Sequence, residues 1–182
     1  MGRSAALVVA VLVFAAWGCD ASPAPTTAPL NAKAIGDGFV LETSIPKGVW
    51  SPGEVIPVAT TFTWTGADQK KTVWTFGSGP VTFDLKQLDG RRFSMGSAHT
   101  ADCAPKTFTR GIPTPIPFQK SGAWDGSDPD APFYQQFFTD PLLRLPAGRY
   151  ELRVGVVGQL AECSRNARSL DLDLPPIVLE VR

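Results

Sequence analysis

The sequence has little histidine and little cysteine: His99 stands alone, with three cysteines among 182 residues. A structural zinc site takes four such ligands, so the chain offers it almost nothing to draw on. Net charge of either sign is also missing, with 17 Lys and Arg against 17 Asp and Glu. So balanced a chain carries no electrostatic footprint for nucleic acid or an acidic polymer. No apolar run reaches the ~20 residues that a membrane-spanning helix needs. Phosphate-binding and dinucleotide fingerprints are absent, which leaves a nucleotide enzyme without support. The 17 prolines and 17 glycines exclude a helix bundle, because an interior proline costs a helix ~3 kcal/mol. What remains is a chain with 43% hydrophobic and 19% charged residues, enough to bury a core.

The N-terminus reads as an address. Arg3 precedes an unbroken apolar run from Ala5 to Ala16, which fits the basic and hydrophobic regions of a secretory signal peptide. The run leads into Ala16-Trp17-Gly18-Cys19, which resembles the bacterial lipobox, where a small residue precedes a cysteine that is acylated and becomes N-terminal on cleavage. An ordinary signal peptide cut nearby is the alternative. The expected organisation is a lipoprotein signal peptide at 1–18, a lipidated Cys19 with a Pro-rich tether at 19–34, and a folded domain at 35–182. The stretch from Asp20 to Ala34 mixes small residues with proline and has no apolar periodicity, as a solvated tether does. The implied partner is a lipid bilayer, and the implied location is the extracytoplasmic face of the cell membrane.

With Cys19 acylated, Cys103 and Cys163 remain. Outside the cytoplasm an even pair is most simply a disulfide. Free thiols and metal ligands are the competing readings.

Along the body, apolar residues alternate with polar ones, and helical spacing is absent. One long strand is expected over Val55–Trp64, and others over Val81–Lys86, Tyr150–Val156 and Ile177–Arg182. Shorter candidates are Phe39–Thr43, Thr72–Phe76, Arg91–Met95, Lys106–Thr109 and Ile116–Lys120. The segments between them, such as Ser51-Pro52-Gly53 and Leu88-Asp89-Gly90, are turn-like. Leu145-Pro146-Ala147-Gly148-Arg149-Tyr150 enters the strongest strand in the manner of a tyrosine corner. The fold class expected is therefore all-β, an immunoglobulin-like antiparallel sandwich.

The run from Thr75 to Gly90, together with Leu145 to Leu152, is similar to the signature regions of the BsuPI-type intracellular proteinase inhibitor domain. The first region carries a Ser-Gly turn, a strand with the aromatic-Asp pair Phe83-Asp84, and the turn Asp89-Gly90. The second, with Pro146-Ala147-Gly148-Arg149-Tyr150, resembles that family's Pro-Gly-x-Tyr entry to a late strand. The resemblance extends loosely over 38–182 and implies an immunoglobulin-like sandwich and inhibition of subtilisin-type serine proteinases. Here residues 96–136, containing Cys103, read as a long insertion.

Chemistry is harder to find. Ser97, His99 and Asp102 are sequence neighbours, whereas a triad needs residues that converge in space. Gly77-Ser78-Gly79 lacks the spacing of a nucleophile elbow. Asp125-Gly126-Ser127-Asp128-Pro129-Asp130 offers oxygen ligands for calcium, but the same residues are the ordinary material of solvated turns. Trp64 and Trp74 are expected in the core, whereas Trp50 and Trp124 flank turns and are candidate contacts for a sugar or a protein. The alternating prolines from Ile112 to Phe118, with Ile112, Pro113, Pro115 and Ile116 as candidate contacts, form either a presented loop or a proline-guarded edge strand. The functional expectation is a non-enzymatic binding module without a cofactor or metal, acting on an envelope protein; the alternative is an inhibitor of a secreted proteinase. A hydrolase with an unrecognised site ranks below both.

Overall fold

The structure, a computed structural model, describes residues 28–77, 79–91, 93–96, 102–164 and 166–182. In chain order its first six strands are β1 (Leu30–Gly36), β2 (Phe39–Ile45), β3 (Val49–Trp50), β4 (Ala59–Trp64), β5 (Lys70–Phe76) and β6 (Val81–Gln87). Then come β7 (Ser94–Met95), β8 (Cys103–Thr109), β9 (Thr114–Ile116), helix α1 (Ala131–Thr139), β10 (Gly148–Gln159), β11 (Ser169–Asp173) and β12 (Ile177–Val181). Two sheets pack face to face as an all-β sandwich. The first has the antiparallel order β1-β2-β4-β9. The second is organised on β10, which pairs with β6 along one side and with β12 and then β11 along the other. Among the described strand pairs only β3, lying parallel to β12, departs from the antiparallel rule, and the isolated bridge Trp64–Arg110 is parallel as well.

Alternation builds each layer. Tyr150, Leu152, Val154 and Val156 of β10 are buried, while Arg149, Arg153 and Val157 are exposed. Between the sheets the rings of Phe39 and Phe62 stack at 4.7 Å, and Phe108 meets both edge-on at 5.8 and 5.0 Å. Such edge-on pairs are favoured by the ring quadrupole. The buried hydroxyls of Thr43 and Thr60 satisfy each other at 2.9 Å. The tyrosine corner is present: the Tyr150 hydroxyl donates to the Pro146 carbonyl at 3.0 Å. Gly148 makes that approach with φ +149, where a Cβ would come within 2.7 Å of the Gln87 amide.

Several sequence expectations need correction. Among the described residues the first strand begins at Leu30, so residues 30–34, placed in the tether from sequence, are part of β1. The hairpin of β1 and β2 closes through Asp37 (φ 50) and Gly38 (φ 77), left-handed conformations of the kind an Asp-Gly turn supplies. The strand expected over Val55–Trp64 is interrupted. Val55 makes a lone bridge to Arg144, the Ile56 amide bonds the Leu143 carbonyl, and Pro57 has no amide to donate, so β4 starts at Ala59. Likewise the strand placed at Ile116–Lys120 lies instead at Thr114–Ile116, ahead of Pro117. Of the described residues in Arg91–Met95, Ser94 and Met95 form the strand pairs. Trp74 is half-buried, where a core position was expected.

The described residues of the segment 96–136 contribute to both sheets. Its β8 pairs with β5 in the second sheet and its β9 pairs with β4 in the first. Because β4 runs on to β5 and β8 runs on to β9, one antiparallel ribbon turns the corner between the sheets, with Trp64 bridged to Arg110 at the bend. The chain then forms α1, whose Phe133, Tyr134 and Phe137 surround Phe93 with ring centroids 4.8–5.7 Å away.

Candidate functional site

The Cys103 and Cys163 sulfurs are bonded, with Cα atoms 6.0 Å apart. The bridge fastens the start of β8 to the loop that follows β10. Cys19, Ser97 and His99 lie outside the described residues, and Asp102 is exposed.

The candidate contact residues do not form one site. Trp50 is withdrawn from any ligand: only 4% of it is exposed. Its pairing in β3 against the end of β12 carries it into the core, and its indole donates to the Lys47 carbonyl at 3.0 Å. Trp124 is 40% exposed, with one face stacked on Phe138 at 5.4 Å, so its other face is the one a partner would meet. Ile112 is 58% exposed, in the turn at the end of the sandwich where Gly111 bonds the Trp64 carbonyl. Pro113 and Pro115 are exposed and Ile116 is half-buried. Since Thr114–Ile116 is the edge strand of the first sheet, the segment divides into a short exposed turn and a paired strand.

The acidic loop is occupied with its own fold. Asp125 accepts bonds from the backbone amide and the hydroxyl of Ser127, both at 2.8 Å, and these hold its carboxyl below the usual range. Asp128 accepts the Asp130 amide, and Asp130 pairs with Arg91 at 2.9 Å. Among the described residues no group of three or more His, Cys, Asp or Glu is placed to hold a metal ion.

Sequence reasoning missed two features. The first is Lys120, whose ammonium donates to the carbonyls of Phe137, Asp140 and Leu142 at 2.7, 2.8 and 2.7 Å. It also lies 4.0 Å above the Phe137 ring, and burial lowers its pKa. An ammonium has three donors, so all are spent on the end of α1 and the chain beyond it. The second is the edge strand β1, which the Asp37-Gly38 pair announces to a reader looking for hairpin turns.

Comparison with family profiles, with curated proteins and with solved structures found no match to this chain.

Proposed function

We propose that the chain is a lipoprotein, held on the extracytoplasmic face of the membrane by an acylated Cys19, whose sandwich acts as a non-enzymatic binding module. The observation that carries this reading is the Cys103–Cys163 disulfide. It accounts for both cysteines of the body, it suits an oxidising compartment, and it leaves Cys19 behind the apolar run as the remaining cysteine of three. Ten residues separate Cys19 from Leu30. A chain reaches at most ~3.6 Å per residue, so they set the domain no more than roughly 36 Å from the lipid.

The binding reading stands ahead of proteinase inhibition because the candidate inhibitor segment, Ile112–Phe118, spends Thr114–Ile116 on pairing with β4. A cleft-inserting loop needs that backbone free.

Phase partitioning of the full chain against a Cys19→Ala variant tests the anchor. The native chain is expected in the detergent phase and the variant in the aqueous phase; equal partitioning overturns the reading. Titration of a subtilisin-like proteinase with the full chain tests the module, and inhibition at micromolar excess would replace binding with inhibition.

A further inference from the structure

We propose that the free edge of β1 is a docking site for an extended strand of another protein, one that sets an apolar side chain beside Ile35 and a carboxylate beside Lys33. This rests on the binding-module reading and names the surface and the class of partner.

The two-residue Asp37-Gly38 turn makes Gly36 and Phe39 the closing pair of the hairpin, so the backbone groups of Gly36, Ala34, Ala32 and Leu30 bond to β2. The amides and carbonyls of Asn31, Lys33 and Ile35 then point to the other side. Among the described residues no strand pairs there. The strand is regular over all seven residues, with one partner for each and no bulge.

The opposite edge of the same sheet is treated differently. There β9 is three residues long, and Pro113, Pro115 and Pro117 remove amides from the segment. Such shortening and proline content are how edges are kept from pairing. From Leu30 to Gly36 there is no proline, and Ile35 is the most exposed large hydrophobic side chain among the described residues, at 68%. Ile35 stands in register with Val40 and Thr63 on the outer face, so an added strand would extend a row that begins with the apolar pair Ile35 and Val40.

Lys33 decides between partners. It lies at the centre of β1 on the same outer face, its ammonium held there by Glu42 at 2.8 Å. A second copy pairing along the full strand about a two-fold axis would set Lys33 against Lys33, and like charges directly opposite are unfavourable. A carboxylate at that position meets the ammonium from the side away from Glu42. Strand addition draws affinity from the backbone bonds and selectivity from alternate side chains, which here are Ile35 and Lys33.

Hydrogen exchange of the full chain purified in detergent tests this. The probes are two capped heptapeptides of valine and threonine, one with a central glutamate and one with a central lysine. The glutamate peptide is expected to slow exchange at the Asn31, Lys33 and Ile35 amides roughly tenfold or more, and the lysine peptide to leave them unchanged. A Lys33→Pro variant, which loses an outward amide and the ion pair to Glu42 but no backbone bond to β2, is expected to lose the effect while its Phe62 and Leu152 amides stay protected. No slowing by either peptide, or equal slowing by both, overturns the proposal. Slowing that grows with protein concentration without peptide also overturns it, in favour of a second copy. None of these outcomes touches the titration of a subtilisin-like proteinase, so failure of the edge and failure of the binding-module reading are separately visible.

Discussion

The indole of Trp64 occupies the space that a side chain on Gly66 would need: a Cβ built at residue 66 lies 2.1 Å from the ring. The turn wraps closely because the indole N–H donates to the Asp68 carbonyl at 2.8 Å, and Gly38 meets the same ring from the neighbouring hairpin. Gly66→Ala is therefore expected to cost about 3 kcal/mol through overpacking. Urea unfolding checks it: the midpoint falls with the slope unchanged, and an unaltered midpoint would mean that the turn yields.

Tyr150 ties its hydroxyl to Pro146, and burial pushes that hydroxyl up to about 12. In the unfolded chain the phenol titrates near ~10. Below that value both states keep the proton, so the full contribution to stability is present; between ~10 and 12 the unfolded state sheds its proton first, and stability falls as pH rises. Tyr150→Phe is expected to lose about 1 kcal/mol at neutral pH and to flatten this alkaline decline. Phenolate absorbance offers a second check, since the chain has two tyrosines, Tyr134 and Tyr150, both raised by burial. Release of half the phenolate by pH 10 would contradict a buried Tyr150.

The Cys103–Cys163 bridge closes a loop with a sequence separation of 60. In the chain-entropy model a loop of this size contributes about 4 kcal/mol. Replacing both cysteines by serine is expected to lower stability by about that amount. Native protein carrying two alkylatable thiols would remove the bridge.

Lys120→Met keeps the aliphatic stem over Phe137 and deletes three donors from the carbonyls of Phe137, Asp140 and Leu142. A loss of about 3 kcal/mol is expected for these charge-assisted bonds. Limited proteolysis is the sensitive readout, with new cleavage between Pro117 and Leu145 ahead of any global unfolding. An unchanged digestion pattern would show that α1 holds without the cap.

Local pattern made most of the strands legible, because alternation in β2, β6, β10 and β12 is decided within each segment. The disulfide followed from counting. Trp50 did not: its neighbours Ser51-Pro52-Gly53 signal a turn, but its burial is decided by β12 at the far end of the chain. Helix α1 was hidden for a related reason. Its nine residues are rich in aromatics of middling helix propensity, and what orders them is contact with Phe93 from another hairpin. The β1 edge was missed because the proline-rich composition before Leu30 masked a strand whose pairing partner follows immediately after Asp37-Gly38.

The ribbon that bends at Trp64 and Arg110 has a consequence for how the molecule comes apart. Neighbouring stretches of chain, β4 with β5 and β8 with β9, are stitched into opposite layers. Short connections join the two ends of the ribbon, so fraying of the β4–β9 pairs in one layer is passed on to the β5–β8 pairs in the other. Melting is expected as a single all-or-none event, with no surviving half-structure to mark a path.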